Sequence, residues 1–181
     1  LFPTDFPELL KPADKSIATY LKSDLGIGFY TYEDFCNRLN KKAQDYSLDN
    51  RAKLIGLIKS EFKGNSNKNV FPHLLVDSGG ECISVAAKVY PLPNEEQLIE
   101  LPKWVDIRFL SPELERLLYK SLDIHNGRRE LVAELSKYNM DEYSFDRLLR
   151  SVVNQFNESP DSVERCSDVL NWLWKYYNRE D

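Results

Sequence analysis

Two short apolar runs around a glycine pair constrain this chain more than any other feature. Phe71-Pro72-His73-Leu74-Leu75-Val76 leads into Asp77-Ser78-Gly79-Gly80, and Cys82-Ile83-Ser84-Val85 follows. Apolar runs flanking a Gly-rich turn predict a β-hairpin, because glycine reaches the positive φ that tight turns demand. A proline-marked loop comes next. Trp104-Val105-Asp106-Ile107-Arg108-Phe109-Leu110 then reads as a further strand, and Ser111-Pro112-Glu113 opens a helix. Residues 70–122 hold the only convincing β signals in a chain otherwise patterned at helical period. The predicted fold class is α+β, mainly α-helical, with a small antiparallel β-hairpin or sheet in the middle.

The helical stripes follow a 3.6-residue period. Residues 14–25 place Ile17, Tyr20, Leu21 and Leu25 on one face, and Gly26 ends that helix. Thr31 caps a second helix striped by Tyr32, Phe35, Cys36, Leu39, Ala43 and Tyr46. Ser47 or Asp49 caps a third, with Ala52, Ile55, Ile58 and Phe62 inward. The polar loop Gly64-Asn65-Ser66-Asn67-Lys68-Asn69 is the natural boundary. It separates an N-terminal helical part, residues 1–64, from the hairpin and C-terminal helices, residues 70–181, and the two are expected to pack as one unit. Beyond the strands, Leu114, Leu117, Leu118 and Leu122 form one stripe. Asn126 caps a helix carrying Leu131, Leu135 and Tyr138. Ser144 caps another, with Phe145, Leu148, Leu149, Val152 and Phe156. Ser159-Pro160-Asp161 starts the last, which carries Val163, Cys166, Leu170, Leu173, Trp174 and Tyr177 on one side. Val169, Trp172 and Tyr176 lie on its other side. A helix apolar on two sides is either central or touches something outside the chain.

Composition narrows the function. An apolar content of 42% and an aromatic content of 12% are those of a globular protein. The net charge of −5 disfavours a general nucleic-acid or anionic-membrane binder. No apolar run approaches the roughly 20 residues that span a bilayer. Cys36, Cys82 and Cys166 are odd in number and far apart, which predicts reduced thiols and a cytoplasmic setting. The chain starts at Leu1-Phe2-Pro3 and ends just after a helix, which reads as a fragment of a larger protein.

The reactive residue types are sparse. His73 and His125 are the only histidines, and neither has a neighbour at metal-ligand spacing. His73 reads as a packed strand residue and His125 as a surface one. No nucleophile elbow and no phosphate loop occurs. The carboxylate pairs Glu95-Glu96, Glu113/Glu115 and Asp141-Glu142 sit in loops or first helical turns, where acids complement the helix dipole at a solvated surface. Asp24-Leu25-Gly26-Ile27-Gly28-Phe29 matches the nucleotide-binding D-x-G-x-G box of GHKL ATPases. That box normally follows a strand, whereas here a helix precedes it, so Gly26 is read as a terminator. No catalytic, cofactor-binding or metal-binding residue is assigned, and the chain is read as not being an enzyme. Arg128, Arg129, Arg147 and Arg150 form a candidate basic patch on helices at 127–138 and 144–156, in an arrangement like a helix-turn-helix. Trp172, Tyr176 and Trp174 are the candidate interaction surface.

Several of these segments resemble the region downstream of the GHKL ATPase domain in large sacsin-like and NO VEIN-like proteins. The likeness covers roughly residues 15–120. It rests on Leu25-Gly26-Ile27 before Thr31-Tyr32-Glu33-Asp34-Phe35, on Phe71-Pro72 before Asp77-Ser78-Gly79-Gly80, and on Leu101-Pro102-Lys103-Trp104-Val105-Asp106-Ile107-Arg108-Phe109-Leu110-Ser111-Pro112-Glu113-Leu114. The resemblance implies a position downstream of an ATPase core; with no catalytic constellation, an apparent truncation and a two-sided last helix, the chain is read as a non-catalytic accessory or protein-interaction module of a larger multidomain ATPase. Its partners would be other domains of that chain or other proteins, with no cofactor and no membrane. The alternative is a nucleic-acid-binding helical module of a bacterial restriction or defence protein, carried by the four arginines.

Overall fold

A computed structural model of the chain describes residues 32–61, 72–94, 99–158 and 163–177. The helix at 14–25, the box at Asp24, the Thr31 cap, the 64–69 loop, Glu95-Glu96 and the Ser159-Pro160-Asp161 start lie outside the described residues.

Helix α1 (Tyr32–Lys41) buries Cys36 and Leu39 completely, and a 3-10 turn (Ala43–Asp45) buries Ala43. Helix α2 (Leu48–Glu61) starts at Ser47, whose Oγ accepts the Asn50 N–H at 3.3 Å. Ser47, not Asp49, is therefore the cap. Ala52, Leu54, Ile55 and Ile58 of α2 are buried, and so is Arg51. The Arg51 guanidinium donates to the carbonyls of Tyr46 (2.9 Å), Ala43, His73 and Leu74 and to the Cys82 thiol (3.3 Å). It ties α2 to the turn before it and to the segment at 72–82.

The middle of the chain departs from the predicted antiparallel sheet. Asp77, Ser78, Gly79 and Gly80 make a tight turn: Asp77 Oδ1 accepts the N–H groups of Gly79 and Glu81, each at 2.9 Å, and Gly80 adopts φ +89°. Among the described residues the turn closes a single antiparallel bridge, Val76 to Cys82, and no ladder. The two-stranded sheet is instead parallel: β1 (Lys88–Pro91) pairs with β2 (Ile107–Leu110) in the register Lys88–Ile107 to Pro91–Leu110. The reason is competition for backbone groups. The Val76 carbonyl accepts the Ser111 N–H at 2.9 Å and the Ser78 N–H donates to Phe109 at 2.9 Å, so the outer edge of β2 captures this segment. On the far edge of β1, Val89 exchanges bonds with Asn139 and Asp141, so Met140 lies parallel to it. His73 lies in an irregular, partly buried segment rather than a strand.

Helix α3 (Pro112–Ser121) follows β2 directly, with Ser111 as N-cap and Pro112 in the first turn, and buries Leu114, Glu115 and Leu118. Helix α4 (Arg128–Leu135) is capped by Gly127 at φ +78° rather than by Asn126. Glu130 Oε2 accepts the N–H groups of His125 (3.0 Å) and Asn126 (2.8 Å), which holds its carboxyl below the usual carboxylate range. A 3-10 turn (Ser136–Tyr138) leads to α5 (Phe145–Asn157), capped by Ser144, and α6 (Val163–Tyr177) completes the described residues.

Strand alternation sorts these helices into two cores. Val89 and Leu110 face one core, shared with α1, α2, α3 and α4. Tyr90, Ile107 and Phe109 face the other, shared with Leu148 and Val152 of α5 and Val169, Trp172 and Tyr176 of α6. The small sheet is the wall between them.

Candidate functional site

The periodicity of α6 decides which residues can meet anything beyond this chain. Val169, Trp172 and Tyr176 recur at i, i+3 and i+7 and are buried. The Trp172 ring stacks on Phe145 with centroids 6.3 Å apart. Its Nε1–H donates to the Glu100 carbonyl at 2.8 Å, and the Tyr176 hydroxyl accepts the Glu100 N–H at 3.0 Å. These two bonds strap the segment at 99–104 onto α6. Trp172 and Tyr176 are thus internal supports, which removes them from the expected interaction surface. Trp174 is on the other side, 77% exposed, beside Val163 at 85% and Leu170 at 66%. Of the side predicted to carry Val163, Cys166, Leu170, Leu173, Trp174 and Tyr177, only Val163, Leu170 and Trp174 are seen to face outward; Cys166 is half-buried and Leu173 packs against the second core.

Between this strap and α6 lies an open cleft of about 740 Å3, lined by Glu100, Lys103, Trp104, Arg165, Asp168 and Lys175 among others. Arg165 sits over the Trp104 ring, 5.5 Å from its centroid, and Trp104 packs against Phe156. The Trp104 indole N–H is buried with no acceptor among the described residues. Lys175 Nζ lies 2.8 Å from Glu100 Oε2. The hydrogen bond and charge of Lys175 hold the Glu100 carboxyl below its usual range, and Glu100 with Tyr176 pushes the Lys175 ammonium up.

The four arginines are mostly occupied. Arg128 grips the buried Glu115 carboxylate with Nε at 2.8 Å and Nη2 at 3.3 Å. Glu142 lies between Arg129 (3.3 Å) and Arg147 (3.6 Å), and Arg147 also meets Asp141. Arg150 is exposed on α5. A second cleft of about 290 Å3 beside Arg128, Arg129 and Glu142 is walled by Pro91, Pro93 and Tyr143. The connection at 139–144 runs along β1 instead of forming the short turn of a helix-turn-helix. Glu115 and Asp141 are therefore not the solvated carboxylates expected of them.

His125 is a surface residue with Nε2 3.2 Å from Asp123 Oδ1. Cys36 is buried, and Cys82 and Cys166 are half-buried. Among the described residues, no three His, Cys, Asp or Glu side chains gather in a way that could hold a metal ion. No described helix is long and apolar enough to cross a membrane. No family model, curated protein or solved structure matches the chain.

Proposed function

We propose that this chain is a non-catalytic protein-interaction module that docks through the outer face of α6, within a larger cytoplasmic GHKL-type ATPase and downstream of its ATPase core. The observation that carries the docking reading is the exposed stripe of Val163, Leu170 and Trp174 on a helix whose opposite side already fills a core. Large apolar side chains lining one exposed helix face mark a contact surface more often than an accident of composition. Support for a non-catalytic role comes from Glu100 and Lys175, which neutralise each other across the larger cleft. Support for the ATPase setting comes from the likeness in the 101–114 stretch, which here forms β2 and the cap of α3.

The parent gene and a titration test this together. The reading expects an upstream ATPase segment with its metal-binding Glu/Asn pair. It further expects that segment to bind this chain saturably in calorimetry, with the heat lost on Leu170→Glu. Saturable binding or turnover of Mg-ATP by this chain alone would overturn it. So would a salt-dependent complex with duplex DNA or RNA that disappears in Arg147→Ala.

A further inference from the structure

The outer face of α6 carries more than an apolar stripe. At 100° per residue, Val163, Leu170 and Trp174 fall within one narrow sector, and the small, exposed Ser167 lies between them. The flank on one side of that sector has a polar order along the axis. Glu164 and Asp168 sit toward its start, Asn171 near its middle and Lys175 toward its end, all of them exposed and all lining the larger cleft. A flank that is acidic at one end and basic at the other complements itself only when a second helix runs in the opposite direction, because a two-fold axis sets each flank against its own reversed copy. A parallel pair would oppose this flank to the other side of the stripe, around Cys166, which offers no charge.

We propose that α6 docks on the α6 of a second copy of this chain as an isologous, antiparallel helix pair. Leu170 lies next to the two-fold axis. Trp174 covers Ser167 of the second copy, where the small side chain leaves room for the indole. Lys175 reaches Glu164 and Asp168 of the second copy. Lys175 keeps Glu100 as well, since an ammonium has three donors and the Glu100 side chain is 84% exposed. The proposal rests on the interaction-module reading and adds a second copy of this chain as an occupant of the same face, in competition with the ATPase segment. A helix of this length extends roughly 22 Å. A contact along it falls at or below the small end of specific interfaces, under about 1,200 Å2, so the dimer is weak and exchanges quickly.

Sedimentation equilibrium of the whole chain between about 10 μM and about 1 mM reads the association over the range expected of a weak complex. The weight-average mass should climb toward the dimer for the native protein. It should stay at the monomer for Leu170→Glu and for Trp174→Ser, each with an unchanged far-UV circular dichroism spectrum and melting temperature. Lys175→Glu alone should weaken association by about tenfold or more. Adding Glu164→Lys and Asp168→Lys to it should restore association, because the reversed order is again self-complementary in an antiparallel pair. A native protein that remains monomeric throughout overturns the self-docking proposal. If that monomer still binds the ATPase segment through Leu170, the interaction-module reading stands; if it does not, both fail. A dimer indifferent to Leu170→Glu, or a triple charge swap that fails to restore association, also overturns the antiparallel pair.

Discussion

Three charged side chains, Arg51, Asp77 and Glu115, are buried, and each of them, like the half-buried Asp141, is held by specific partners. Arg51 donates to backbone carbonyls on three sides and needs no carboxylate. Asp77 is consumed by its own turn and by Arg108 at 3.4 Å. Glu115 is paired by Arg128. Asp141 accepts from Lys88 at 3.2 Å, from the Glu142 N–H at 2.8 Å and from Arg147. Burial alone would raise the Asp141 carboxyl pKa, but these three donors outweigh it and hold it below the usual range. The sign of the linkage follows. With the folded value lowered, the stabilisation is present above the unfolded carboxylate value of about 3.9 and fades as pH falls through that value toward the folded one. Urea melts of the native protein and Asp141→Asn should differ most at neutral pH and converge below about pH 4; a constant offset down to acid would show that the charge does not matter. The sequence carries a partial signal for these residues. Glu115 stands beside Leu114 and three before Leu118, and Arg51 precedes Leu54, Ile55 and Ile58 by three, four and seven, so both lie on apolar stripes. The partners His73, Leu74 and Cys82 of Arg51 and Arg128 of Glu115 lie 13 to 31 residues away, and no local spacing encodes them.

At the scale of elements, caps and stripes were readable because they are local. Ser111 with Pro112, and Ser144, start their helices where the pattern places them. The strands were not, because pairing is a contest between distant backbone edges. Lys88-Val89-Tyr90-Pro91 is short and ends in proline, yet it is bonded along both edges: the Lys88 N–H turns to the β2 side, the Val89 N–H and carbonyl turn to residues 139–141, and the proline at the last position takes away neither. The sidedness of α6 was equally hidden. Both of its faces are apolar, and only the strap through Glu100 shows that Val169, Trp172 and Tyr176 turn inward. Helix α2 offers a direct test of element packing. A Cβ placed on Gly56 would lie 2.6 Å from the Ser121 carbonyl oxygen, at the end of α3. Alanine improves intrinsic helicity by about 1 kcal/mol over glycine. Forcing the two backbones apart costs about 1–3 kcal/mol. Gly56→Ala should therefore lower the stability measured by denaturant titration; a gain would mean that α2 and α3 do not meet this closely.

At the scale of the molecule, a minimal parallel sheet separates two cores and leaves α6 at one edge with its outer stripe uncovered by the described residues. Several ionisable groups pair with one another, from Arg128 and Glu115 to Lys175 and Glu100. The outer stripe of α6 and the charged flank beside it are the basis for reading the chain as a docking module that meets its own copy. Residue-resolved NMR on dilution addresses this most directly. Amide shifts should change with concentration along the outer face of α6 and its charged flank, at Val163, Glu164, Ser167, Asp168, Leu170, Trp174 and Lys175, and remain fixed elsewhere. Shifts that stay constant on α6, or that move instead around Arg128, Arg129 and Arg147, would contradict the account.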